Sequence, residues 1–487
     1  MSDCLPVSDD IIERILMFMP SFPSLLATIL TAKSFYQVFQ THPKSIMRSV
    51  AYNITGPALP QALRCIRHPD IARNSSKQTT RWESESGSDS EDMQVDGGRK
   101  QSFEEIMDTP ITNAETHKIV EQVAVVRRLE ELFSFRYLNR SCQTSQLTES
   151  ESKNFHVAVY NLMLYSSIFH PSTWDSDFHN DDDDAADQRR RREALIKRAK
   201  FLSDIPTPEL LQIHSVSEFL KEIITWCVRF DGYPDEINNF ALAAGPGVII
   251  ECFDNPQNGL QPLDDILDFF EEEMEFDPIV SGYLSDPLVK VLEERKTKPP
   301  PSDFTHWHSI SPRITQENSQ CDRCQKSFGL QVYHRSTLGN YSNPNATSGC
   351  CNGHSHYEWN SLYQYLKASL RFNSVETDAL RDEAKQHGPN LLLKIWDDLW
   401  DLNLVKQLPQ VSQQSASLPD WTRDNFLCEE CFRAFLVENL WVWSRHRRAA
   451  RGPLLEDCWY GYNCRTQTHR SSHAEKLNHL CEQTRYS

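Results

Sequence analysis

Glycine is scarce in this chain, with 16 among 487 residues, about half the usual share. That scarcity excludes collagen-like and glycine-rich loop architectures. Long apolar runs are missing too: no stretch reaches the ~18 apolar residues that a membrane helix needs. Residues 1–10 hold no basic stretch leading into an apolar signal core. The expectation is a protein of the nucleus or cytoplasm. Positive charge is in deficit, with 50 Lys and Arg against 68 Asp and Glu and a formal charge of -18, so most of the surface would repel phosphate. No Walker loop, HExxH or G-x-S-x-G occurs. Gly245-Pro246-Gly247 is no dinucleotide fingerprint, because Ile250 stands where the third glycine belongs and no strand-like run precedes it.

The residues present predict a mostly α, multidomain chain. Helical patterning runs over 115–137, 155–169, 216–228 and 263–274, and no fixed-period repeat is found. A helical unit is expected at 1–70, an acidic disordered linker at 71–102, and a helical region at 103–300. A linker at 301–320, a Cys-rich region at 321–452 and a small zinc finger at 455–487 complete the division. Residues 79–99 are so rich in Ser, Glu and Asp that they lack apolar surface to bury. Residues 181–192 (DDDDAADQRRRR) read as a solvated hinge leading into a helix that runs to about Phe201, with a basic targeting signal as the sharper alternative.

In the N-terminal segment, Ser8 offers a cap and Asp9 and Asp10 a negative first turn. Ile12, Ile15, Leu16 and Met19 then recur on one helix face. Pro20 and Pro23 are expected to end that helix, and Ser24 to cap the next, where Leu26, Ile29 and Leu30 share a face. Phe35, Tyr36, Val38 and Phe39 form a third apolar cluster. Three helices in about 40 residues cannot enclose a core alone; the rest of the chain or a partner must cover them. The segment DDIIERILMFMPSFPSLLATILTAKSFYQVF resembles an F-box, with Val7-Ser8 in the usual Leu-Pro slot. That resemblance implies three helices docking on the Skp-type adaptor of a cullin ligase through Ile12, Ile15, Leu16, Met19, Leu26, Ile29 and Leu30.

Cysteine and histidine crowd the last third. Nine of 14 Cys lie there (Cys321, Cys324, Cys350, Cys351, Cys428, Cys431, Cys458, Cys464 and Cys481), as do ten of 17 His. In a reducing compartment such clusters read as metal ligands before disulfides. Cys458, Cys464, His473 and His479 make a Cys2His2 set suited to a closed tetrahedral Zn2+ site, with His469 as an alternative ligand. The spacing does not suit a DNA-reading finger. A unit this small needs a staple, and metal binding supplies roughly 10–16 kcal/mol in zinc-finger peptides. Cys321-x-x-Cys324 and Cys428-x-x-Cys431 are two half-sites that together could close a Cys4 centre. Closing the long loop between them costs little extra. Cys350, Cys351, His354 and His356 are candidate ligands for another ion.

The tail DCWYGYNCRTQTHRSSHAEKLNHLCEQTRY resembles the poly(ADP-ribose)-binding zinc finger of checkpoint ubiquitin ligases that carry FHA and RING domains. The shared residues include Cys458, Gly461, Asn463 to Gln467, His473, Ala474, Lys476, Asn478, His479 and Cys481 to Arg485. PDWTRDNFLCEECFRAFLVENL is similar to a CxxC segment in the Cys-rich domain of the same ligases. The resemblance implies zinc at Cys458, Cys464, His473 and His479, with ADP-ribose units at the aromatic and Arg positions around it.

The residues carry that reading independently. The polymer presents adenines and pyrophosphates, so a reader needs aromatic faces beside fixed positive charge. Trp459, Tyr460 and Tyr462 offer faces, and Arg465 and Arg470 offer donors that fork onto phosphate. Trp459, Tyr460, Arg465 and Gln467 are the candidate polymer-binding set. Residues 440–487 hold eight Lys and Arg against four Asp and Glu, a local charge of +4 in an acidic chain.

These features predict a substrate receptor of a cullin-type ubiquitin ligase, with no active site of its own, that binds poly(ADP-ribose) or ADP-ribosylated proteins. Two alternatives remain open: a stand-alone ligase with a divergent RING-like module at 321–431, and a zinc-dependent nucleic-acid binder.

Overall fold

Helix follows helix along the chain, as the patterning predicts. The computed structural model describes residues 8–68, 106, 108–140, 144–170, 184–228, 237–255, 263, 282–298, 304–315, 320–326, 332–338, 362–387, 390–406 and 419–485. Among them there is no strand; isolated bridges join Tyr333 to Leu427 and Asp457 to Asn478. The acidic segment 79–99, the patterned stretch 264–274 and the Cys350, Cys351, His354 and His356 group lie outside the described residues. Backbone contacts divide the chain into two compact units. The first comprises Met1–Ser134, Thr144–Cys252 and Leu260–Ile314; the second comprises Phe135–Gln143, Phe253–Gly259 and Thr315–Ser487.

The first unit begins with α1 (Asp9–Met17), α2 (Phe22–Ile29), α3 (Lys33–Thr41), α4 (Pro43–Thr55) and α5 (Leu59–Arg67). Pro23 does not end α1. It sits in the first turn of α2, where its missing N–H would have had no partner anyway. Ser21, not Ser24, caps α2, its side chain accepting from the Ser24 N–H at 3.2 Å. The short helices do not close a core among themselves. Ile12, Leu16, Leu25, Ile29 and Val38 share one buried cluster with Ile46 and Val50 of α4, Leu63 of α5, and Ile119 and Val123 of α6 (Asn113–Tyr137).

Further along lie α7 (Glu149–Ile168), α8 (Asp184–Ser203), α9 (Thr207–Val228), α10 (Ile237–Ala244), α11 (Pro246–Asp254) and α12 (Ser285–Glu294). α9 packs on α7 and α10, and α8 on α12. Phe133 of α6 sits 5.0 Å from Phe155 of α7, 5.3 Å from Phe219 of α9 and 5.8 Å from Trp307. The run expected as a hinge is helical from Asp184, with the arginines of 189–192 inside α8. Arginine and alanine both rank high in helix propensity, and burial of Ala199 and Leu202 anchors the far end. Gly245 joins α10 to α11 at φ +99°, and a Cβ there would stand 2.7 Å from the Ser166 hydroxyl; this is a turn, not a phosphate cradle.

The second unit is built on α13 (Arg335–Leu338), α14 (Ser374–His387), α15 (Leu391–Asp401), α16 (Glu429–Arg451) and α17 (Ser471–Lys476). α16 carries Glu429 and Glu430 in its first turn and Arg448 and Arg451 in its last, as the helix dipole favours. Phe432, Phe435, Leu436, Asn439, Leu440 and Trp443 form its buried stripe. Phe435 lies 4.8 Å from Trp396 and 5.3 Å from Trp421, and the Trp443 indole donates to Asp398 at 3.0 Å.

Candidate metal centres and the surface around them

Two sets of side chains converge in the second unit: Cys321, Cys324, Cys428 and Cys431, and Cys458, Cys464, His473 and His479. Within each set the ligand atoms lie within 4.8 Å of one another. Cys428 is the N-cap of α16 and Cys431 lies in its first turn. The other CxxC is a tight turn held beside them. The Asp322 N–H donates to the Phe426 carbonyl at 3.0 Å, the Phe426 N–H to the Asp322 carboxylate at 2.6 Å, and the Cys428 N–H to Cys321 Sγ at 3.3 Å. Paired Tyr333–Leu427 bonds at 2.9 and 3.0 Å fix the chain entering Cys428.

The second set is assembled by short turns. The Cys458 N–H donates to the Asn478 carbonyl and the Asn478 N–H to the Glu456 carbonyl, both at 2.8 Å. These bonds place the Cys458 end beside the His479 end. A 3-10 turn over Gly461–Asn463 returns the chain to Cys464, and α17 presents His473. His473 Nε2 lies 3.8 Å from Cys458 Sγ and 3.4 Å from Cys464 Sγ. His469 is exposed and outside the set. Cys481 turns its thiol to the carbonyls of Cys458 and Asn478 and is not a member.

Both sets could hold a metal ion. Tetrahedral geometry with metal–sulfur bonds near 2.3 Å and metal–nitrogen bonds near 2.0 Å requires S···S of about 3.8 Å and S···N of about 3.5 Å. Cys324 and Cys428 Sγ are 3.7 Å apart, and the His473 distances bracket the second value. Neither ring nitrogen of buried His479 has a hydrogen-bond partner among the described residues. Burial and the neighbouring His473 bring its pKa down to about 4, which keeps the ring neutral and able to ligate. In the Cys4 set, a hydrogen bond from Cys431 leads the effects that lower Cys321 to about 4, whereas burial raises Cys428 to about 11. A dication held here would draw protons from the thiols and keep its ligands as thiolates.

The aromatic and basic residues around the Cys2His2 set are distributed unevenly. Trp459 is 59% exposed and Tyr460 40%, and Arg465 and Arg470 are exposed. Tyr462 is half-buried, with its ring 5.3 Å from Trp441 and Lys367 over it. Gln467 departs from its expected role. It is 2% exposed, accepts from Asn373 at 2.8 Å and donates to the Tyr462 carbonyl at 3.3 Å. Its amide is used up inside the protein. Arg485 has a place that spacing did not reveal: its guanidinium lies over the Trp459 ring, 4.9 Å from the centroid.

The residues assigned to adaptor docking divide in the same way. Ile12, Leu16 and Ile29 are buried, Met19 is half-buried, and Ile15, Leu26 and Leu30 are exposed. Ile11, Phe18 and Tyr36, outside that set, are exposed as well.

The chain is 31% identical over 127 residues to the E3 ubiquitin-protein ligases CHFR of Homo sapiens and Pongo abelii, and 29% identical over the same length to that of Mus musculus. Each match covers 25% of this chain, and 18–20% of the relative. The chain therefore spans about a fifth of the length of the curated relatives it matches. No family model matches, and neither does a solved structure. The chain shares a region with these ligases and has two clusters able to bind metal. The relatives' names also correct one expectation. They denote enzymes, so the reading of this chain as no enzyme is withdrawn. No helix among the described residues is long and apolar enough to cross a membrane.

Proposed function

We propose that this chain works in ubiquitin ligation in the nucleus or cytoplasm and that its C-terminal zinc knuckle binds poly(ADP-ribose) on modified proteins. The observation carrying this reading is the convergence of Cys458, Cys464, His473 and His479 beneath exposed Trp459, Tyr460 and Arg465. Bound Zn2+ would fix the knuckle without an open coordination position, a structural role. The second Zn2+, at Cys321, Cys324, Cys428 and Cys431, would fasten the base of α16. Adenines would stack on Trp459 and Tyr460, worth about 1–3 kcal/mol per base in single-strand readers, while Arg465 forks onto phosphate. The N-terminal helices would dock a Skp-type adaptor and so a cullin ligase, using the exposed Ile15, Leu26 and Leu30.

The deciding experiment uses the purified full-length chain with its metal counted. Poly(ADP-ribose) should outcompete single-stranded RNA at matched charge, and chelation should abolish binding. Arg465→Ala should lower the slope of log affinity against log salt by about one; an unchanged slope removes Arg465 as a phosphate contact. Equal affinity for RNA would replace this reading with a nucleic-acid binder.

A second reading is favoured by the names of the relatives: the chain itself transfers ubiquitin, with the region around Cys321 to Cys431 as its RING-like module. Ubiquitin chains formed with only activating and conjugating enzymes would establish it. Dependence on added Skp adaptor and cullin would establish the docking reading.

A further inference from the structure

The C-terminal residues fold back over the knuckle as a strap. The Thr484 and Arg485 N–H groups both donate to the Trp459 carbonyl, at 2.9 and 3.1 Å, and the Thr484 hydroxyl joins them at 3.3 Å. Gln483 is held on both sides, accepting from Asn463 at 3.0 Å and donating to the Arg485 carbonyl at 2.5 Å. The strap fixes Arg485 over the Trp459 ring. Arg485 has no acidic partner among the described residues, and the indole under it is the most exposed aromatic of the second unit's knuckle. The pair faces solvent and is held in place by the strap.

We propose that Trp459 and Arg485 form one composite subsite for a nucleoside diphosphate unit, with the adenine stacked on the indole–guanidinium pair and the diphosphate taking the guanidinium N–H groups. The proposal rests on the poly(ADP-ribose) reading and adds to it a residue and a division of labour. A planar guanidinium both stacks and donates in a fork, which an ammonium cannot do. Held already on the indole, it loses less rotamer freedom on binding than a free surface arginine. Arg465 then serves a separate phosphate.

The test measures binding of the full-length, zinc-loaded protein to an ADP-ribose oligomer of defined length and to inorganic polyphosphate of matched charge. Arg485→Ala should weaken oligomer binding about tenfold, as loss of a charge-assisted bond does. Trp459→Ala should do the same, and the double variant should lose little more than either alone, because the two act as one unit. Arg485→Lys, which keeps charge, should retain polyphosphate affinity and still lose oligomer affinity. Arg485→Ala should keep two metal ions per chain; loss of one would make Arg485 a structural residue of the knuckle and overturn the subsite. Multiplicative losses in the double variant, or equal losses for oligomer and polyphosphate, overturn the subsite and leave the parent reading standing. Absence of oligomer binding by the unaltered protein overturns both.

Discussion

Gly461 packs so closely on Cys481 that a Cβ at position 461 would stand 2.1 Å from the Cys481 carbonyl oxygen. That same oxygen accepts the Tyr462 N–H at 3.0 Å, so the carbonyl cannot withdraw without losing the bond that sets the turn between the two cysteines. Gly461 also has φ +46°, a left-handed conformation costing other residues about 1–3 kcal/mol. The turn, the close approach and the ligand geometry are one constraint.

Gly461→Ala should therefore open the knuckle while sparing the Cys4 set. Metal analysis should find one zinc per chain in place of two, and poly(ADP-ribose) binding should disappear. Two retained zincs with unchanged binding would show that the strap can move aside.

Cys428 is both a ligand candidate and the cap of α16, and it shares a buried cluster with Trp396, Trp421 and Trp443. Cys428→Ser should remove the Cys4 ion and destabilise the second unit by more than ~4 kcal/mol, the range associated with loss of a metal site. Tryptophan emission should shift to the red as those indoles meet water. A protein with one zinc and unshifted emission would show that core packing alone holds α16.

The ligands were legible because thiols and imidazoles at short spacings have few other uses in a reducing compartment. Burial was less legible. Periodicity places Ile12, Ile15, Leu16 and Met19 on one broad face, but which edge is covered depends on α4, α5 and α6, the last joined through a long acidic segment. Gln467 reads as a surface polar residue until Asn373, distant in sequence, is found against it. The Arg485 stack has the same character. It arises from a strap whose backbone bonds leave no trace in residue type. The helix running to about Phe201 was legible, but its start was not: charge segregation over 181–192 suggests a hinge, whereas the helix propensity of arginine and alanine carries α8 back to Asp184.

Glu151 is an interior ion of the first unit, not part of either centre. It closes a capping box with Thr148 at the start of α7 and receives Ser311 at 2.5 Å and Arg313 Nε at 3.0 Å. Burial alone would raise its pKa, but the bonds from Arg313, Ser311 and Thr148 outweigh it and hold the carboxyl at about 2, below its ordinary 4.5. A depressed folded pKa means stability that is present above about pH 4.5 and lost as pH falls toward 2. Glu151→Gln should cost about 1–3 kcal/mol at pH 7, and the difference from the unaltered protein should shrink by pH 2.5. Denaturant midpoints at the two pH values measure it; a pH-independent gap would make the effect one of packing.

The N-terminal helices offer a test that separates folding from docking. Leu16 is fully buried, whereas Leu30 at the end of α2 is 74% exposed. Leu16→Ala should cost about 2–5 kcal/mol through the cavity it leaves. Leu30→Asp should change stability by no more than ~0.5 kcal/mol, as surface substitutions do, yet weaken capture of a Skp-type adaptor, because a carboxylate would then have to be desolvated in an apolar contact. Thermal unfolding and co-purification with the adaptor, run on both variants, give the two readouts. Adaptor capture unaffected by Leu30→Asp and by Leu26→Asp would exclude this face as the docking surface, whatever the folded state retains.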